Sequence, residues 1–345
     1  MSFSVESLET KDHPAWDQFV TAHPHGSPFH LIAWKTTIES TFPYKPCYLL
    51  SRAQGAIRAV LPLFLVEGFI TGKVLISSPF AVYGGVLADS VEARDALGDG
   101  LRKLAESLAV QYVDLRNAWP EQVLGHVPVD RYVSFTTPVA PTDDERLLAA
   151  IPKKTRNLVR KSLKFPYSVR TPASLDGFYR LMANNYRRLG TPIFPRAFFE
   201  RMRSNFGPMA DVREFMLDGN TLAAVSFNFF FQGSMHTYYA ASNPECLAQS
   251  PNNYMYFDLL RWAGHNGYNT FDFGRSKKET GTFEFKKHFG AAPRELPYEV
   301  MLVRRKYPPN FSPKNPKFQL AIQVWRRLPM PLVNTLGPRL IRLFP

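Results

Sequence analysis

Two cysteines in 345 residues, Cys47 and Cys246, are too few for a disulfide framework and suit a reducing compartment. Neither sits in a C-x-x-C pair or a recognisable catalytic context, so both read as buried bystanders. Long hydrophobic runs are also missing. The longest, 59–66, contains Pro62 and falls far short of the ~20 residues that span a bilayer. The segment 4–18 is mixed and polar, without the apolar stretch of a signal peptide, which points to a cytoplasmic chain. There is no H-E-x-x-H, G-x-S-x-G, Walker loop or dinucleotide fingerprint, so metal or nicotinamide chemistry is disfavoured.

Acidic residues vanish from two segments. Between 304 and 345 there are nine Lys and Arg with no Asp or Glu, and between 153 and 170 there are seven more. Taking these sixteen from the 42 basic residues leaves 26 against 29 acidic ones. The net charge of +13 is therefore a near-neutral body with two cationic patches, which attract phosphates, anionic lipid or nucleic acid. A hydrophobic content of 45% with 14% aromatics describes a globular chain, and 345 residues suggest two domains.

The two halves repeat one order of elements. In the first, helical patterns at 14–21 and 32–40 precede strands at 46–52 and 56–66, with Gln54-Gly55 as the hairpin turn. A strand at 73–78, a helix at 90–110 and a strand at 112–116 follow. In the second, helices at 174–188 and 195–205 precede strands at 212–217, 221–231 and 234–242, joined by Asp218-Gly219-Asn220 and Gln232-Gly233. A helix at 253–266 and a strand at 270–273 complete the series. Val113-Asp114-Leu115-Arg116 stands where the second half has Phe271-Asp272-Phe273-Gly274.

The run 269–290, NTFDFGRSKKETGTFEFKKHFG, reads as a buried strand, a break at Gly274, and the cations Arg275, Lys277 and Lys278. A turn at Gly281 then leads into an apolar-aromatic ladder that delivers Lys286 and Lys287. A strand that ends at glycine and at once presents cations suits an anionic guest at a sheet edge. The DFG here is not that of a kinase, because no glycine-rich loop, V-A-I-K strand or H-R-D loop precedes it.

D-F-G-R-S followed about ten residues later by F-K-x-x-F-G resembles the C-terminal signature of the FemAB-like transferases. The closest resemblance is to the FemAB-related proteins of bacterial exopolysaccharide/PEP-CTERM (exosortase) systems, loosely over 151–301. It implies an α/β (α+β) fold of two tandem acetyltransferase-like (GNAT) domains, each a mixed, mostly antiparallel sheet with flanking helices. These are expected at 1–145 and 146–303, before a basic, proline-rich tail at 304–345.

The same resemblance places Lys286 at the reaction centre, where a cation stabilises the oxyanion formed when an amine attacks a carbonyl. Asp272, flanked by phenylalanines on its strand, is expected to pair with Arg275 and to orient a cation or act as general base. His236 is the histidine positioned to act as a base, although a satisfied core histidine is the commoner outcome, and alternation puts it on one strand face with Tyr238 while Tyr239 takes the other. Ser250, Asn252 and Asn253 are N-cap types at a strand-to-helix junction whose free N–H groups can hold an anion, though ordinary capping also explains them. Within 153–164, Lys153, Arg156, Arg160 and Lys164 share a helix face and repel one another unless an anion or solvent neutralises them. Fem-like proteins carry a similar basic helix on the substrate side and a proline-to-glycine loop at the acceptor groove, here Tyr83-Gly84-Gly85. The binding set is therefore Arg156, Arg160, Tyr83, Gly84, Gly85, Tyr238, Ser250, Asn252, Asn253, Arg275 and Lys277.

The tail carries an apolar stripe of Phe318, Ala321, Ile322, Trp325 and Leu328 flanked only by cations, extended by Leu332, Val333, Leu336, Leu340 and Leu343. It suits either an anionic membrane surface, through 317–345, or packing against the first domain; transfer RNA is a third option. Together these features imply a monomeric transferase that moves an acyl or aminoacyl group onto a phosphorylated or lipid-linked envelope precursor. No tightly bound cofactor is expected, and the donor is aminoacyl-tRNA or an acyl-CoA or acyl carrier. The Q/R-x-x-G-x-G/A loop of acetyl-CoA users and the charged helical arm of Fem ligases are both missing. A non-catalytic adaptor of the same fold, holding polysaccharide machinery at the membrane, is the alternative.

Overall fold

A computed structural model describes residues 2–68, 71–130, 132–309 and 316–345, with side chains from 319 onward in the last segment. The chain divides into two compact units. They are not the contiguous blocks expected, and the pairing of two strands gives the reason. Val133–Pro138 lies between Thr270–Ser276 and Ala292–Glu295 and so belongs to the second unit. Glu299–Leu302 pairs with Tyr112–Leu115 and Val127–Pro128 and so belongs to the first. The first unit is thus 1–131 with 296–318 and 339–345, and the second is 132–295 with 319–338.

The first unit holds a four-stranded and a six-stranded sheet. The strand expected at 56–66 is split by Pro62 into Ala56–Leu61 and Leu63–Gly68, which enter different sheets. Proline cannot donate to a ladder, so the chain changes partners there. Helix Val91–Ser107, capped by the Ser90 hydroxyl, turns Ala93, Leu97, Leu101 and Ala105 into the core at helical spacing. A buried carboxylate, Glu299, accepts from Asn117 Nδ2 (2.9 Å) and from the amides of Leu124 and His126 (2.8 Å each).

The second unit is one seven-stranded sheet. Its order is Tyr167–Arg170, Ala210–Leu217, Thr221–Phe231, Ser234–Ser242, Thr270–Ser276, Val133–Pro138, Ala292–Glu295. Every pairing is antiparallel except that of Ser234–Ser242 with Thr270–Ser276. Asp218-Gly219 and Gln232-Gly233 have positive φ at both positions, the twist-matched hairpin geometry their residue types favour. Helices Asp176–Leu189 and Arg196–Phe206 cover one face through Phe178 and Phe206 against Phe227 and Phe229. Helix Pro251–His265 covers the other face through Tyr256, which meets Phe271 and Phe273.

The ladder expected after Gly281 is a helix, Gly281–His288. The Thr280 hydroxyl caps it by accepting from Phe283 N, and Phe285 and Phe289 meet at i, i+4 spacing. In the tail, the inward stripe packs on the second unit rather than on the first. Trp325 Nε1 donates to Thr191 O at 3.1 Å, Arg187 donates to Leu328 O, and Ile322 lies beside Gly190. The last residues belong to the first unit, where Tyr44 and Arg116 donate to the carbonyls of Arg342 and Pro345.

Candidate active site

Strands Ser234–Ser242 and Thr270–Ser276 run parallel but pair over three positions only: Ser234 with Thr270, Met235 with Phe271, His236 with Asp272. Beyond that rung no ladder joins them, although both continue, to Ser242 and Ser276. Past the rung the edge of Ser234–Ser242 that faces Thr270–Ser276 has no strand partner, and an extended, amide-bearing ligand can pair with it; on Thr270–Ser276, Gly274 N and the carbonyls of Gly274 and Arg275 are taken by side chains. Gly274, with φ of 72°, lies on the second strand just past the point of separation.

His236 and Asp272 form the last rung. The imidazole Nδ1 is 3.2 Å from Asp272 Oδ2, and Asp272 Oδ1 accepts from Gly274 N at 2.6 Å. The Asp272 carboxylate thus takes His236 and a backbone amide, and the Arg275 guanidinium lies 4.4 Å from the Tyr132 ring. Lys277 is directed at the same ring at 5.7 Å. An aspartate on Nδ1 fixes the ring and leaves Nε2 as the nitrogen that can take a proton. The first unit carries the matching parallel pair, Gly72–Ser77 with Tyr112–Leu115, and there Asp114 stands opposite Ile76. The imidazole is thus particular to the second copy of the rung.

A β-bulge at Tyr238 changes the expected alternation at Tyr239, while the Tyr238 ring stays on the side of Phe229, which stands opposite His236. Phe227 pairs with Tyr239 while Asn228 pairs with Thr237, so Tyr238 is the extra residue. Because Phe227 and Phe229 share a face and stand opposite Tyr239 and His236, the bulge carries Tyr239 to the His236 side. The Tyr238 and Tyr239 rings meet edge-on at 4.7 Å, and Tyr239 packs on Phe199 at 5.2 Å. The Tyr239 hydroxyl is buried with no hydrogen-bond partner. Burial pushes its phenol well above the ordinary range, Tyr238 and Tyr186 push the same way, and Arg275 opposes them. A buried hydroxyl without a protein partner costs ~1–3 kcal/mol.

Lys286 lies on the short helix and is 7% exposed. Its ammonium donates to the carbonyls of Gly274 and Arg275, both at 2.9 Å, which leaves one N–H on the group. Burial lowers its pKa to about 8, with Asp272 acting against the shift and Arg275 adding to it. Ser250 has left-handed φ (55°) before helix Pro251–His265, and its side chain makes no cap bond. Instead its carbonyl accepts from Asn253 and Tyr254. Asn252 and Asn253 form the first turn of that helix, which follows the separated strand in sequence.

Other expected residues have partners of their own. Arg156 donates to the carbonyls of Ala149 and Ile151, capping the preceding helix, and Arg160 pairs with Glu145 at 2.9 Å. Two of the four cations on that helix face are thus engaged from within the chain. Tyr83, Gly84 and Gly85 lie in the first unit. There Gly85 O bonds the buried His30 ring, and a Cβ on Gly85 would stand 1.9 Å from Asn117 Oδ1. Sequence reasoning missed Tyr132, Tyr186 and the facing of Tyr239, because no local pattern marks a bulge or a neighbour so distant in sequence. Among the described residues, no cluster of His, Cys, Asp and Glu could hold a metal ion, and no helix is long and apolar enough to cross a membrane.

Residues 147–287 match the acetyltransferase (GNAT) domain family. No curated protein sequence matches the chain. Among solved structures, FemX is similar at 16% identity and a TM-score of 0.68, over 93% of this chain and all of that one. A tandem GNAT protein from the clavulanic acid biosynthesis pathway is similar at 12% identity and a TM-score of 0.54, over 90% of this chain and all of that one. The C-terminal domain of a putative lysylphosphatidylglycerol synthetase from Agrobacterium fabrum follows at 10% identity and a TM-score of 0.56, over 85% and 91%. That match covers less than half of the chain, and the mixed sheets with flanking helices have the fold of these tandem GNAT structures.

Proposed function

We propose that the second unit transfers an acyl or aminoacyl group to an amine or hydroxyl of a phosphorylated or lipid-linked cell-envelope precursor. The observation that carries this reading is the strand pair that opens directly after a His236–Asp272 rung. The donor lies along the open edge of Ser234–Ser242, with its carbonyl carbon near Nε2 of His236. The acceptor N–H or O–H gives its proton to Nε2 as the new C–N or C–O bond forms. Asp272 holds the imidazole and stabilises the imidazolium. The bond to the donor's sulfur or ribose oxygen then breaks, and the leaving group takes that proton. Lys286 keeps positive charge beside the developing oxyanion, and the cations Arg275 and Lys277 offer a site for phosphate.

An open strand edge on Ser234–Ser242 favours a donor with an extended amide chain, an acyl-CoA or acyl carrier, over aminoacyl-tRNA. The acceptor class, and a setting in exopolysaccharide or exosortase systems on the inner face of the cell membrane, rest on the F-K-x-x-F-G resemblance. The test is transfer of labelled acyl groups from acyl-CoA or charged tRNA to extracted lipid-linked precursors, read as a mass increment. His236→Gln should lower kcat by about 10²–10⁴-fold with donor KM little changed. Full activity in that variant would remove His236 from the mechanism.

A further inference from the structure

The tail helices turn two apolar rows in opposite directions. Ile322 and Trp325 of Pro316–Arg327, and Val333 and Gly337 of Met330–Leu340, face the second unit at Gly190, Thr191 and Ile193. On the outward side stand Leu320 (70% exposed), Val324 (53%), Leu332 (47%), Leu336 (37%) and Leu340 (36%). Spacings of four put Leu320 and Val324 on one row, and Leu332, Leu336 and Leu340 on another. This outward surface is not the Phe318–Leu328 stripe that the sequence singles out, which is largely spent on packing.

The charge on the tail itself has one sign. Residues 304–345 contain no Asp or Glu, and Arg327 and Arg339 are exposed beside the outward leucines. A solvated helix face ordinarily mixes both signs, whereas this one is aliphatic with cations alone. A second copy of the same face would bring like charges together. Nucleic acid would meet the arginines but leave the leucines in water. An anionic bilayer satisfies both, taking the leucines into its acyl boundary and the guanidinium groups among its headgroups. With 12 and 11 residues the helices are too short to span a membrane and would lie in the plane of its surface.

We infer that the outward face of Pro316–Arg327 and Met330–Leu340 docks the protein on an anionic lipid surface. The experiment is cosedimentation of the full chain with phosphatidylcholine vesicles and with vesicles containing phosphatidylglycerol, at low and high salt. Binding is expected on the anionic vesicles and should weaken with salt. Leu332→Ser/Leu336→Ser should lose at least about tenfold in partitioning, and Arg327→Glu/Arg339→Glu roughly fivefold or more per charge. All four residues point outward, so unchanged melting temperatures and unchanged transfer to a water-soluble acceptor would show the fold intact. Several results overturn the inference. One is no binding to anionic vesicles at low salt, and another is wild-type binding by the leucine variant. The others are tRNA binding in place of vesicle binding, or a concentration-dependent dimer that the leucine variant abolishes.

Discussion

Replacing Lys286 by methionine isolates the cost of burying its charge. The ammonium is 7% exposed and its pKa falls from 10.5 to about 8, with burial as the leading cause. A lysine whose folded pKa lies below its unfolded one binds more protons when unfolded. The folded state therefore carries the full penalty below about pH 8, sheds it as pH rises, and is free of it above the unfolded pKa. The linkage relation gives ~3 kcal/mol at pH 7, ~2 at pH 9 and ~1 at pH 10. Methionine fills a similar volume without charge, but it also strips the donor from the carbonyls of Gly274 and Arg275, at ~1–3 kcal/mol. The offset at any one pH is thus a near-cancellation and decides nothing; the slope decides. Urea unfolding of both proteins from pH 7 to pH 10 should show wild type gaining ~2–3 kcal/mol relative to Lys286→Met across that range. The other titrating groups cancel in the difference. Parallel stability curves would mean that the amine is solvated or neutral throughout, and the reasoning about its burial would fall with them.

Tyr239→Phe removes a buried hydroxyl that has no partner, so the variant should unfold ~1 kcal/mol or more later in urea while binding the donor more weakly by calorimetry. Asp272→Asn should keep the rung but lose imidazolium stabilisation, lowering kcat by about 10²-fold or more with a far-UV spectrum like wild type. Gly85→Ala places a methyl 1.9 Å from Asn117 Oδ1 and 2.7 Å from its Cα, and should lower stability in urea by ~1–3 kcal/mol.

What the sequence disclosed about this molecule was local chemistry. Gln54-Gly55, Asp218-Gly219 and Gln232-Gly233 are two-residue turns whose residue types accept positive φ, so each hairpin is readable where it stands. The order of elements and the likeness of Asp114 to Asp272 followed from that punctuation. Two departures from the expected elements are local as well. Pro62 carries the signal for a strand break inside the apolar run 56–66. The alternating Phe283-Glu284-Phe285 suggested a ladder, while Thr280 as a cap and Phe285–Phe289 at four-residue spacing argued for a helix. The remainder was beyond reach. The Tyr238 bulge depends on how two strands register, and the His236–Asp272 rung joins residues 36 apart. The Arg156 and Arg160 partners lie on another helix, and no pattern in a basic run names them.

Strand Glu299–Leu302 has a consequence for synthesis. A ribosome works from the amino terminus, and Tyr112–Leu115 leaves it long before the segment that lies beside it. Until residue 299 emerges, the Asn117 side chain and the amides of Leu124 and His126 have no acceptor, and one edge of the six-stranded sheet stands open to other chains. The second unit needs nothing beyond 295 for its sheet, so that sheet can close before that of the first. The half that is translated first is the half completed last.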